Sequence, residues 1–289
     1  MSEPLIPKRI QANGLEFAYL EAGQGPLVLC LHGFPDTAWS FAPTVQALAD
    51  AGFRAVAVFM RGYTPSAIPG DGDYSVTTLG RDVIALIDHF GEQQAFVVGH
   101  DWGAVATYMA AAMRPDRVKR IVTAAIPHLR RFLLRPTAKQ LHRSRYMGFF
   151  QLPMIPERRI RAQDFAWLRG LIREWSPDWQ FTEQDFQPLK AMFGEPERLQ
   201  AALGYYRALP GALVRGEAWQ AVTRTIQVPT RVILGSNDGC IGREMFLGQD
   251  HLFAGGYERV EMQGCGHFMH CEQPEQFGRH IIEFFKAHP

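Results

Sequence analysis

No apolar run in this chain approaches the ~20 residues needed to cross a bilayer, so no membrane span is expected. Neither sign of charge is in surplus: 30 Lys and Arg stand against 29 Asp and Glu, for a net charge of +1. That balance argues against a dedicated nucleic-acid binder. Cysteine is scarce. Cys30, Cys240, Cys265 and Cys271 show no framework spacing, which excludes a disulfide scaffold and suits a reducing compartment such as the cytoplasm. The stretch Met1 to Gly14 has no apolar signal core, so secretion by that route is not expected. Repeats and low-complexity tracts are missing, and nothing specifies an oligomeric state.

The chain is rich in alternation. Lys8 to Gln11 and Leu15 to Leu20 read as strands around an Asn13-Gly14 turn. Leu27 to Leu31, Arg54 to Phe59, Ala95 to Val98, Val118 to Ala124, Arg231 to Leu234 and Val260 to Met262 are further strands. Helices are expected from an Asp36-Thr37 cap to about Asp50, from a Ser75 or Thr77 cap to Phe90-Gly91, after Gly103, and from Pro274 to Lys286. Such alternation predicts an α/β fold, a mostly parallel sheet flanked by helices. From about 128 to 216 it stops. That segment is aromatic-rich, carries helical periodicity broken by prolines, and has a net charge of about +7. It reads as a helical cap (128–216) inserted into a core domain of 1–127 and 217–289.

The chemistry centres on Gly99-His100-Asp101-Trp102-Gly103, between a buried strand and an Ala/Met-rich helix. Its spacing is that of a nucleophile elbow with Asp where Ser is usual. A plainer alternative makes Asp101 an ordinary N-cap. Asp238 and His267 each follow a later strand, giving the chain order nucleophile, acid, His. His267 would serve as general base, with Asp238 fixing its tautomer. Taken singly, one could be a structural histidine and the other a turn residue. His32-Gly33-Phe34-Pro35 closes another strand, and the N–H groups of Phe34 and Trp102 are the expected oxyanion hole.

An Asp nucleophile restricts the substrate. A carboxylate displacing at saturated carbon leaves an ester that activated water can cleave, whereas a serine alkoxide would leave an ether. The expected substrates are therefore epoxides or carbon–halogen bonds.

On these motifs, with Arg61-Gly62-Tyr63-Thr64-Pro65-Ser66 and Gly264-Cys265-Gly266-His267-Phe268, the chain resembles an epoxide hydrolase of the α/β-hydrolase superfamily over essentially its whole length. The resemblance implies two cap tyrosines that hydrogen-bond the epoxide oxygen. Phe150-Gln151-Leu152-Pro153 places the first at Tyr146, and Leu203-Gly204-Tyr205-Tyr206-Arg207 places the second at Tyr206, with Tyr205 as alternative. It also implies a lipophilic epoxide as partner, contacts from Phe34, Trp102 and Tyr205, and no cofactor or metal.

Three other readings compete. A haloalkane dehalogenase would use the same Asp101, His267 and Asp238, with Trp102 holding the halide and a second donor among Trp167, Trp175 and Trp179. A metal site could use Cys265, His267, His270 and Cys271, although no distant ligand pair accompanies them. A non-catalytic ligand-binding protein could retain all of these residues.

Overall fold

The computed structural model describes residues 5–214 and 216–287. Residues 1–4, 215, 288 and 289 of the expected domain spans, and the first four residues of the N-terminal stretch, lie outside the described residues. Eight strands form one sheet: β1 (Lys8–Ala12), β2 (Leu15–Ala22), β3 (Leu27–Leu31), β4 (Arg54–Phe59), β5 (Ala95–His100), β6 (Val118–Ala124), β7 (Thr230–Gly235) and β8 (Tyr257–Met262). Their spatial order is β1-β2-β4-β3-β5-β6-β7-β8. The first two pair antiparallel and the remaining six run parallel. Asn13 and Gly14 both have positive φ and close the first hairpin, as their dipeptide requires.

The core helices are α1 (Ala42–Asp50), α2 (Val76–His89) and α3 (Trp102–Met113). Six more lie within residues 128–216: α4 (Leu129–Leu134), α5 (Ala138–Arg143), α6 (Arg145–Phe149), α7 (Ile155–Trp175), α8 (Glu183–Gly194) and α9 (Pro196–Ala208). The chain closes with α10 (Glu217–Thr223), α11 (Met269–Glu272) and α12 (Pro274–Lys286). Among the described residues, no helix is long and apolar enough to cross a membrane.

Period-two alternation splits the core into two layers. Leu27, Leu29 and Leu31 of β3 join the cluster of α2, α3 and the helices after β6. Val28 and Cys30 join the cluster of α1 and α12, with Val45, Leu48, Phe277 and Ile281. Each fully buried Leu or Val contributes ~1.5–3 kcal/mol. Parallel strands buried on both faces carry the continuous apolar runs that made them readable.

Two expectations need correction. The helix expected from Asp36-Thr37 begins as a 3-10 turn over Ala38–Phe41, and the α-ladder starts only at Ala42. Pro43 has no N–H to bond backward, so it suits the first turn of α1 rather than the interior of a longer helix. Neither Asp36 nor Thr37 caps; the Asp36 carboxylate instead accepts from Thr37 N and Ser40 Oγ. The last strand is twice the expected length, because β8 is an edge strand whose first half is largely polar and exposed. Between the two candidate caps of α2, Ser75 is the one used.

Candidate active site

The elbow follows from crowding. Asp101 sits at φ 51°, ψ −118°, a conformation L-residues avoid. A Cβ at Gly99 would run into the Gly103 carbonyl, and one at Gly103 into the Leu31 carbonyl. The turn therefore tolerates only hydrogen at both flanks and lifts Asp101 off the end of β5. Asp101 occupies the N-cap position of α3, yet its side chain makes no cap hydrogen bond. Instead its Oδ1 accepts from Phe34 N at 2.7 Å. That decides against the plain N-cap reading. Trp102 opens α3, so its N–H has no acceptor within the helix.

His267 lies across from this carboxylate. Its Nδ1 meets Asp238 Oδ2 at 3.0 Å, and its Nε2 lies 3.6 Å from Asp101 Oδ2. Asp238 is fixed in turn, because its Oδ1 accepts from Cys240 N and Ile241 N at 2.7 and 2.8 Å. Burial opposes a charge on His267, but the Asp238 and Asp101 carboxylates outweigh it and raise the imidazole to about 10. The loops carrying the pair are clamped by the end of α7, whose Trp175 carbonyl accepts from both Gly239 N and His267 N at 3.1 and 3.0 Å.

Tyr146 and Tyr206 are buried above Asp101. Tyr146 Oη contacts Cys240 Sγ at 3.5 Å, and Tyr206 Oη has no hydrogen-bond partner. Burial, reinforced for both by Asp101, pushes both phenols well above their ordinary range, so both remain O–H donors. These hydroxyls and the Asp101 carboxylate share a cavity of about 40 Å³ whose other walls include Trp102, Val105, Ile126, Leu129, Phe132, Met147, Leu209 and Ile241.

Two expected contact residues sit elsewhere. Tyr205 Oη donates to the Arg61 carbonyl at 2.7 Å, so its hydroxyl is committed to the backbone and it does not line the cavity. The Phe34 ring packs against Phe150, Phe193 and Tyr206, and only its N–H faces Asp101. Trp167 and Trp179 line other clefts, and the Trp175 ring packs against His267. Trp102 is thus the one indole on the Asp101 cavity among the described residues. The Cys265-His267-His270-Cys271 ligand set does not assemble: His267 bonds Asp238 and His270 bonds Asp36, while Cys265 packs in the α1–α12 core.

Reading the sequence missed three neighbours of the site. Cys240 touches Tyr146, and a Cys two residues after the acid was the available signal. His100 Nε2 donates to the His267 carbonyl at 2.9 Å. His32 Nε2 accepts from Met60 N at 3.1 Å, behind the Phe34 turn.

Residues 26–274 match the family described as alpha/beta hydrolase fold. The chain is 31% identical over 283 residues to the AB hydrolase superfamily protein YfhM of Bacillus subtilis, covering 96% of each. It is 28% identical over 315 residues to Epoxide hydrolase A of Mycobacterium tuberculosis, covering 95% of each. Among solved structures it is similar to the epoxide hydrolase VrEH1 from Vigna radiata, with a TM-score of 0.83, 27% identity and 99% of each chain covered.

Proposed function

Since the chain belongs to the alpha/beta hydrolase fold family, we propose that it is an epoxide hydrolase that opens a lipophilic epoxide to a vicinal diol through a covalent ester on Asp101. One observation carries this reading. Asp101 has its Oδ1 held by Phe34 N–H and its Oδ2 3.6 Å from His267 Nε2, beneath two buried phenols. The epoxide hydrolases among its relatives support it. The segment 128–216, contributing Tyr146 and Tyr206, acts as the cap over the core.

With Oδ1 engaged, Oδ2 is the attacking atom. It bonds to one epoxide carbon while the carbon–oxygen bond breaks, and Tyr146 or Tyr206 gives its proton to the released oxygen. Oδ1 becomes the ester carbonyl, already held by the Phe34 N–H, with the Trp102 N–H at the start of α3 as the second donor. Esterification removes one of the two carboxylates that keep His267 charged. The imidazolium then returns a proton to the tyrosinate and becomes a base. Water attacks the ester carbon and His267 takes its proton. Collapse of the tetrahedral intermediate frees the diol and restores Asp101. No cofactor or metal enters these steps.

The dehalogenase alternative wants a second halide donor beside Trp102, and no second indole reaches the Asp101 cavity among the described residues. Two phenols suit an alkoxide better, because they can supply a proton as well as a hydrogen bond.

The test is mass spectrometry of the His267→Gln variant incubated with styrene oxide or with 1,2-dibromoethane. The expected result is a mass increase of one whole epoxide, absent in the Asp101→Asn, His267→Gln double variant. An adduct from the halide alone would favour the dehalogenase. No adduct from a broad epoxide panel, with no turnover by the parent enzyme, would favour a ligand-binding protein.

A further inference from the structure

Behind His267, on the side away from the Asp101 cavity, a second polar cluster is buried. Asp36, His100 and His270 converge so that one ligating atom from each lies within 4.8 Å of the other two. His270 Nε2 lies 2.9 Å from Asp36 Oδ2 and 3.2 Å from Ser40 Oγ. Because His100 Nε2 donates to the His267 carbonyl, the lone pair of the neutral ring sits on Nδ1. That nitrogen is fully buried and has no hydrogen-bond partner, and the same is true of His270 Nδ1. The two rings lie with centroids 4.3 Å apart. An Asp–His pair alone would explain the Asp36–His270 bond, but it leaves the His100 Nδ1 lone pair beside that pair idle.

We propose that Asp36, His100 and His270 form a binding site for a single divalent transition-metal ion. Two imidazole nitrogens and one carboxylate oxygen suit Zn²⁺, Co²⁺ or Ni²⁺; the oxygen-seeking Mg²⁺ and Ca²⁺ would find too few oxygens. Binding displaces the proton shared between His270 Nε2 and Asp36, which leaves to solvent. A swing of the two side chains closes them toward the ~2.0–2.1 Å metal–nitrogen distance. Ser40 Oγ or a water completes a tetrahedron. The ion has a route in, because Asp36, Ser40 and His270 line a surface groove of about 330 Å³ together with Trp179 and Phe181.

The cluster lies directly against His267: the rings of His100 and His267 are 4.9 Å apart, and His100 Nε2 donates to the His267 carbonyl.

Titration of the intact, tag-free chain with Co²⁺, followed by visible absorption and by calorimetry, tests the proposal without any substrate. One equivalent with the strong absorption of a low-coordinate site is expected. His270→Gln keeps an amide to hold Asp36 and should weaken binding at least about tenfold, as should Asp36→Asn if the first variant fails to fold. Replacing the exposed His142 by Gln should change nothing. Absence of saturable binding, or equal binding by the parent and both cluster variants, would overturn it.

Discussion

Tyr205 and Tyr206 are consecutive residues of α9, and one helical step of ~100° sends their hydroxyls to different chemistry. Tyr206 Oη reaches the Asp101 cavity, while Tyr205 Oη donates to the Arg61 carbonyl, next to the buried Arg61–Asp82 ion pair. The motif could narrow the choice to this pair, and which of them faces Asp101 depends on how α9 rolls against Tyr74 and the sheet. The same limit explains Phe34, whose backbone role was legible from its position after β3 and whose ring direction was not. Tyr205→Phe should destabilise by ~1–3 kcal/mol, because it leaves a buried carbonyl without its donor, while ester formation stays nearly unchanged. Tyr206→Phe should do the reverse, slowing ester formation on the order of 10²-fold. Urea denaturation and single-turnover kinetics on both variants separate the two effects, and a matching kinetic loss in Tyr205→Phe would reverse the assignment.

Elements were legible wherever one local rule governed them. The buried strands announced themselves as short apolar runs, and the two glycines around Asp101 announced a turn with no room for side chains. Where two rules met, the reading slipped. The chain between β3 and α1 carries both a capping pattern and Pro43, and the proline decides where the α-ladder begins. Inside α7, Gln163, Asp164 and Phe165 all take positive φ and break the helix, although none is a glycine. No local signal marks that break; Asp164 is held there by Arg169 and Lys190, which are contacts of the folded molecule. The elbow itself yields a sharp expectation. Gly103→Ala puts a methyl group against the Leu31 carbonyl, so β3 and α3 must separate. The variant should lose 1–3 kcal/mol or more, roughly the cost of overpacking, and its activity should fall with the displaced Phe34 N–H. A thermal melt and a rate measurement check this; an unchanged melt would mean that the turn is looser than the geometry requires.

For the molecule as a whole, buried histidines set how stability responds to pH. Burial holds His32 below and His100 well below the ordinary 6.5, and it takes His128 down to about 4. The unfolded chain binds protons at these rings near pH 6.5 and the folded chain does not. Their contribution is complete above 6.5 and is lost as pH falls toward 4. His267 has the opposite sign. Its raised pKa gives stability that is fully present below 6.5 and disappears as pH climbs toward about 10. The stability read from urea unfolding should therefore peak near pH 6.5–7 and fall on both sides. In His267→Gln the alkaline decline should flatten while the acid limb persists. A midpoint still rising through pH 9 in the parent chain would contradict the charge arrangement around His267.

The hydrogen bonds at the Trp175 carbonyl have a consequence for how the interior is reached. One oxygen grips the backbone of both His267 and Gly239, and no Cβ would fit at Gly239 or Gly266 against the same turn. The C-terminal end of α7 is thereby pinned to the turns that carry His267 and Asp238. If Asp101 opens an epoxide as proposed, a cavity of about 40 Å³ must admit a guest larger than a few waters, and the opening must come from elsewhere than this end of α7. Transplanting a foreign lid onto this sheet would then preserve a working imidazole only if the newcomer brought an oxygen to the place where Trp175 supplies one.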